Sequence, residues 1–503
     1  MMKKLDYILL TFAIGVFLIF QVILMRYVHL TDYDEAVFLN IVRNIQRIGM
    51  PMRSIGLNGV FYFDHTPLYP YLVAASVSLV GDSPNWARLV TTQFAIATII
   101  LTYLTVRREQ TAVSSFVAAL LLALNTFIAI YAYFLTMAVP MMFFILLAIY
   151  WLSKDGGNPS WRYWFGAGIA AALAVMLKEL ALIFIFAAMI YAFVFGRNWK
   201  ERITHPLWLS LPTAVSLAMW AWWGMSLGQP QFQSALMRWV NSASGANNAA
   251  GARALETLSW VQALGNTVFS WGMLALFIMV IPAYFIWFRR KLPQITWLLF
   301  LYLGIATALS FFISLKEPRH VIALIPMMAM IIGIMIPWES VWNWVRGKPV
   351  RIIVTSLSIL FLAWSISPLK VPPTDQWRHI ETWWEPSFAH RAFHAQRYYS
   401  ILRDTGQYLS ENTSPDTIIT VMHEGPIIGY YADRSHQFLY TMSYARVLET
   451  LEGAEYVVVD NKSFFHLTPE EIEFVMTYIE TEFELEQLVK NDYREVNIYH
   501  RRY

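Results

Sequence analysis

Long apolar runs follow one another through most of this chain, and they constrain its fold more than any other feature. A run of roughly 17–25 apolar residues is what a helix needs to cross the hydrocarbon core of a bilayer. Such runs lie at 7–25, 88–106, 111–130, 132–152, 161–177, 180–196, 205–227, 266–288, 294–314, 320–337 and 351–369. Hydrophobic residues make up 57% of the 503 and charged residues 14%, against about 25% charged in an average soluble protein. The 21 Trp and 26 Tyr suit anchoring at both membrane interfaces. The sequence therefore predicts a mainly α-helical, polytopic membrane protein. Its first run, Tyr7–Met25, follows Lys3 and Lys4 and has no small-residue cleavage site behind it. It reads as an uncleaved first span with a cytoplasmic N-terminus.

Positive charge orders the spans. Basic clusters stand at Arg107–Arg108, Lys154 with Arg162, Arg197–Arg202, Arg289–Lys291 and Arg346–Arg351. They share a side with Lys3 and Lys4 only if the short apolar stretch 67–81 does not cross, as the positive-inside rule requires. That stretch is read as a helix lying in the outer interface or re-entrant, which leaves about eleven spans. Residues 1–370 then form a transmembrane domain with an outer loop at 26–87. The segment 371–395 reads as an aromatic-rich interfacial linker, and 396–503 as a small extracytoplasmic α/β domain. In that last part TIITVM (417–422) and YVVVD (456–460) have the β-branched, apolar character of buried strands, flanked by helical patterns at 396–411 and 469–483. The polar stretch 228–264 suits a lid or a plain linker.

Several chemistries are excluded or unsupported. With no cysteine there is no disulfide, Cys-ligated zinc or thiol nucleophile. No GxGxxG, Walker or HExxH motif occurs, so no nucleotide cofactor is called for and no metal is indicated. A net charge of +3 gives no reason to expect nucleic acid.

The expected topology gathers charge on the outer face. The loop after the first span carries Asp34, Glu35, Asp64 and His65, and later turns add Arg88, Lys178–Glu179, Lys316, Arg319 and His320. Each also has an ordinary structural use: acids suit the first turn of a helix, and Lys or Arg at span ends snorkel to the interface. Lys178 fits that use poorly, because it lies between two apolar runs with almost no polar loop around it (VMLKELALI). Their common side favours a site. Transfer from a lipid-linked donor needs a carboxylate to deprotonate the acceptor, cations to hold the departing phosphate and an apolar groove for the lipid. Asp34 or Glu35 can supply the first; Lys178, Arg319, Arg88 and the histidines His65 or His320 the second; the spans the third.

The arrangement resembles the GT-C superfamily of polyprenyl-phosphate-sugar glycosyltransferases, and within it the protein O-mannosyltransferase and lipid A aminoarabinose transferase branch. The resemblance rests on Asp34-Glu35 just after the first span, FDHTPLYPYL around Pro67, Ala87-Arg88-Leu89, Leu177-Lys178-Glu179, and Arg319-His320 with Pro326. It implies a catalytic base at Asp34 with Glu35 beside it, and a second catalytic acid at Asp64. It also implies donor-phosphate contacts from Arg88, Lys178, His65 and Arg319. An inverting, mannose-like transferase is expected, with a polyprenyl-phosphate-linked donor and a hydroxyl acceptor on protein, lipid or glycan, working at the outer face of the cytoplasmic membrane. The competing readings are a transporter or lipid flippase, which would place charge near mid-span and often show repeated halves, and an inactive scaffold.

Overall fold

The structure, a computed structural model, describes residues 3–25, 30, 33–53, 60–63, 65–81, 83–154, 160–227, 271–285, 292–310, 318–336, 338, 396–440, 442–460, 462, 464, 467–491 and 494–502. In chain order it contains α1 (Lys4–Leu24), α2 (Tyr33–Ile48), the strands β1 (Met52–Arg53) and β2 (Val60–Phe61), α3 (Leu68–Val80) and α4 (Pro84–Glu109). Then come α5 (Ala112–Ala123), α6 (Thr126–Tyr131), α7 (Ala138–Ser153), α8 (Trp161–Leu177), a 3-10 turn (Glu179–Ala181), α9 (Leu182–Phe195) and α10 (Trp199–Ser226). Next are α11 (Trp271–Ala283), α12 (Gln294–Ser310), a second 3-10 turn (Pro318–Val321) and α13 (Leu324–Met335). The C-terminal part runs α14 (Gln396–Asn412), β3 (Ile419–Val421), α15 (Gly425–Ala432), β4 (His436–Phe438), α16 (Tyr444–Glu452), β5 (Tyr456–Val459), α17 (Pro469–Glu482), β6 (Phe483–Lys490) and β7 (Glu495–Arg501). Contacts divide the chain into two compact units: residues 1–26, 63–69 and 88–390 form one, and 27–62, 70–87 and 391–503 the other.

The first unit is helical. Among the described residues, α1 and α4 are long and apolar enough to cross a membrane by length and composition, with mean hydropathies of 2.5 and 1.7. Shorter apolar helices accompany them, α5, α7, α8, α9, α11, α12 and α13 among them. Every residue of α13 is buried, so it forms the centre of this unit. Gly333 of α13 allows that: a Cβ there would lie 2.9 Å from the Ala118 Cβ and 3.0 Å from the Ser114 carbonyl oxygen of α5. On the outside, Leu207, Leu211, Val215, Met219 and Trp222 form an exposed apolar stripe along α10, and Phe12, Ile19 and Val22 do the same on α1. Water does not tolerate such continuous stripes on a monomer's surface, whereas lipid does. At its start, α1 is clasped to α4: buried Asp6 accepts from the Tyr103 hydroxyl (2.8 Å) and Arg107 Nε (2.7 Å) through its Oδ1.

One expected span is broken. The run 111–130 reads as a single helix, but α5 stops at Ala123 and α6 starts anew at Thr126. Asn125 is the cause: its Oδ1 accepts from the Ile128 amide (3.0 Å), so the side chain caps a new helix. Residues 132–137 are not helical, and α7 begins where the Thr136 hydroxyl accepts from the Ala138 amide. The count of about eleven spans expected from the sequence is not reached by counting these helices, because the run 351–369 lies outside the described residues.

The second unit contains a five-stranded sheet of order β4-β3-β5-β7-β6, in which β4, β3 and β5 are parallel and β7 and β6 join antiparallel. The runs read as strands are β3 and β5, both fully buried as central parallel strands require. The core beneath them joins Leu439, Val447, Leu451, Val457, Val475 and Ile479. The same unit holds α2, the β1–β2 hairpin and most of α3. At about 1.5 Å per residue α3 is roughly 20 Å long, short of the roughly 30 Å hydrocarbon core. Residues 371–395 and 228–264, where a linker and a loop are expected, lie outside the described residues.

Candidate active site

In the first unit three of the candidate residues, His65, Lys178 and Glu179, meet at the end of α8. The helix stops because Lys178 leaves helical geometry, at φ −157 and ψ 126, and the chain tightens into the 3-10 turn that starts with Glu179. The Lys178 side chain is 4% exposed, an unusual place for an ammonium group. The loop after β2 is stitched to the same turn. His65 Nδ1 lies 3.0 Å from Glu179 Oε1 and 3.1 Å from Oε2, and the Thr66 hydroxyl donates to the Val175 carbonyl (3.1 Å). His65, Lys178 and Glu179 are thus joined through one turn.

Arg88, near the start of α4, is 1% exposed. Its Nη1 lies 3.3 Å from the Tyr133 hydroxyl, and its guanidinium carbon lies 4.7 Å from the centre of the Tyr133 ring. Tyr133 can reach it because the chain between α6 and α7 is non-helical, and the Thr92 hydroxyl pins that segment by donating to the Ala132 carbonyl (2.9 Å). Sequence reading does not single out Tyr133; the breaks at Asn125 and Thr136 are its only local signal.

Arg319 and His320 sit half-buried on the 3-10 turn before α13. His320 lines a mostly apolar cavity with Met141, Leu180, Ile183, Tyr302 and Leu324. Asp64 and Lys316 lie outside the described residues. Among the described residues no three His, Asp or Glu side chains come together as a metal site requires.

In the second unit, Asp34 and Glu35 occupy the first turn of α2, the amphipathic helix expected after them. Negative charge there is favoured by the helix dipole. Glu35 is 1% exposed and Asp34 half-buried. Along its length α2 packs on α15 of the C-terminal sheet domain.

Comparison with known proteins bears on what this arrangement is. Residues 64–223, which include His65, Arg88, Lys178 and Glu179, match the family model described as dolichyl-phosphate-mannose-protein mannosyltransferase. No curated protein matches the chain. Among solved structures, ArnT from Cupriavidus metallidurans bound to undecaprenyl phosphate is 12% identical, covers 99% of this chain and 98% of its own, and has a TM-score of 0.68. The Archaeoglobus fulgidus oligosaccharyltransferase is also 12% identical, covers 89% of this chain and 69% of its own, and has a TM-score of 0.56. The mycobacterial arabinofuranosyltransferase AftD is 13% identical, with 97% of this chain matched to 40% of its own and a TM-score of 0.56. At such identities the likeness speaks for fold alone, and over nearly its whole length this chain shares the fold of these structures.

Proposed function

We propose that the protein is a multi-pass membrane glycosyltransferase. It moves a sugar from a polyprenyl-phosphate donor to a hydroxyl on protein, lipid or glycan, at the outer face of the cytoplasmic membrane. The observation that carries this reading is the turn at Lys178–Glu179 with its His65 partner. It buries a cation beside a fixed His–carboxylate pair, inside the very segment that matches the mannosyltransferase family model. That description makes mannose the first donor sugar to test. The solved ArnT and oligosaccharyltransferase structures, one with undecaprenyl phosphate and one with a dolichol-phosphate, make a lipid phosphate the natural ligand class.

The chemistry follows from the residue types. Asp34, or Glu35 beside it, takes the proton from the acceptor hydroxyl as its oxygen attacks the anomeric carbon. The bond to the phosphate oxygen breaks, and the phosphate leaves with its lipid, carrying the bonding pair. A single displacement inverts the anomeric configuration. Negative charge grows on the leaving phosphate, and Lys178 and Arg88 offset it, with His65 and Arg319 as further donors. Arg can meet two phosphate oxygens at once, whereas Lys acts as a point charge. The apolar helices take the polyprenyl chain, and the C-terminal domain lies on the same extracytoplasmic side as Asp34. The fold likeness is to transferases, so the transporter reading has no observation in its favour. The test is transfer of label from a radiolabelled polyprenyl-phosphate sugar in membranes carrying the chain, beside an Asp34→Asn control.

A further inference from the structure

Asp34 and Glu35 are bracketed by contacts to one helix of the C-terminal domain. Upstream, the Leu30 amide donates to the Tyr431 hydroxyl (2.9 Å). Downstream, Asn40 Nδ2 donates to the Pro426 carbonyl (3.2 Å), and Arg43 Nη1 donates to the Tyr430 carbonyl (2.7 Å). The Arg43 guanidinium carbon also lies 3.9 Å from the centre of the Tyr430 ring. Further along, Arg43 and Arg47 reach Asp433 at 3.4 and 3.0 Å. Asn40, Arg43 and Arg47 share one face of α2, and their partners advance along α15 in the same order. The two helices therefore run side by side in parallel, in one fixed register.

The residue types fit the task. Tyr430 lies in the last turn of α15, where its carbonyl also accepts the Asp433 amide (3.3 Å) and cations suit the dipole. Asp433 ends that helix in the left-handed conformation at φ 50, which Asp tolerates better than most residues. The Arg43 side chain is 19% exposed, so its bonds are partly shielded, whereas Arg47 is 60% exposed and its ion pair contributes little. Asn40 stands six residues after Asp34, about 9 Å along the helix axis. A helix of this length is marginal in water without a partner, so what α2 rests on decides where its acids sit.

We infer that Asn40 and Arg43 are positioning residues: they lock α2 onto α15 and thereby fix Asp34 and Glu35 for the reaction. The inference rests on the assignment of the base to Asp34. It gives the C-terminal domain a part in turnover without any contact between that domain and the donor.

The test uses the full chain in membranes, with radiolabelled polyprenyl-phosphate mannose as probe. Arg43→Met keeps the stem and removes the guanidinium. It is expected to lower the saturating rate per folded molecule about ten-fold or more, with the half-saturating donor concentration within about two-fold of wild type. Arg43→Lys should restore part of the rate, and Tyr431→Phe should also lower it. Tyr408→Phe, which removes an exposed bond to Glu486 elsewhere in the domain, serves as the unaffected control. Hydrogen exchange at residues 33–40 is expected to quicken in Arg43→Met and reads the lock without any turnover. A wild-type saturating rate in Arg43→Met, with or without a lower melting temperature, overturns the inference. So does a loss of rate that comes wholly from weaker donor half-saturation, or unchanged exchange at 33–40. A wild-type chain that transfers no sugar, or an Asp34→Asn chain that is fully active, instead overturns the function on which the inference rests.

Discussion

His65 and Glu179 are 114 residues apart in sequence, yet the imidazole Nδ1 lies 3.0 Å from one carboxylate oxygen and 3.1 Å from the other. The pair closes the loop after β2 onto the turn that carries Lys178. Its side chains are 29% and 21% exposed, so solvent screening reduces its worth to about 1 kcal/mol. Glu179→Gln keeps the shape and removes the charge. It is expected to weaken binding of undecaprenyl phosphate about five-fold, measured by titration of the purified chain in detergent.

Lys178→Ala is expected to cost more. A charge-assisted bond to phosphate is worth about 1.5–3 kcal/mol. Loss of the ammonium should therefore weaken binding of the same lipid by roughly ten- to a hundred-fold. Lys178→Arg should recover part of it. Equal affinity of Lys178→Ala and wild type would remove Lys178 from the phosphate site.

Arg88→Lys should behave as a damaging change. The guanidinium lies buried against the Tyr133 ring, and an ammonium cannot reproduce a planar contact. A loss of melting temperature equivalent to about 1–3 kcal/mol is expected, together with at least ten-fold slower transfer. Tyr133→Phe, which keeps the ring, should be milder in both assays.

Much of this was legible in the amino-acid order, and the reasons for the rest are physical. Asp34 and Glu35 stand out because acids next to an apolar span are costly unless used. Helices α14 and α17 follow their apolar periodicity, and β3 and β5 follow their β-branched runs. Strands β6 and β7 do not show in the pattern. Most of β6 is exposed, so it lacks the apolar run that marks a buried strand. The breaks at 124–125 and 132–137 are hidden because the chain stays apolar across them; a capping side chain, Asn125 or Thr136, marks each. His65 and Glu179 are each visible as charge near a span end, but their pairing is a tertiary fact. The same holds for Arg43, whose partners are two backbone and side-chain oxygens 387 and 390 residues away.

His436 gives the C-terminal domain a pH dependence. It is 5% exposed, and its Nδ1 has no hydrogen-bond partner among the described residues. Burial pushes its pKa down from 6.5 to about 4. The folded domain therefore holds the neutral ring, while the unfolded chain takes up a proton near its ordinary pKa. This contribution to stability is complete above about pH 6.5 and is lost as the pH falls toward about 4, for a total on the order of 3 kcal/mol. Protection of the β3 and β4 amides, taken relative to the intrinsic exchange rate at each pH, should fall between about pH 7 and pH 5. His436→Gln should flatten that dependence, though from a less stable starting point.

The central claim is that Asp34 serves as base in sugar transfer from a lipid phosphate. The most direct measurement is incorporation of label from radiolabelled polyprenyl-phosphate mannose in membranes carrying equal amounts of the wild-type chain or Asp34→Asn. The expected result is label on protein, lipid or glycan with the wild-type chain and about 100- to 10,000-fold less with Asp34→Asn. Equal labelling by both chains would contradict the assignment of the base. No labelling from mannose or any other polyprenyl-phosphate sugar would contradict the proposed reaction itself.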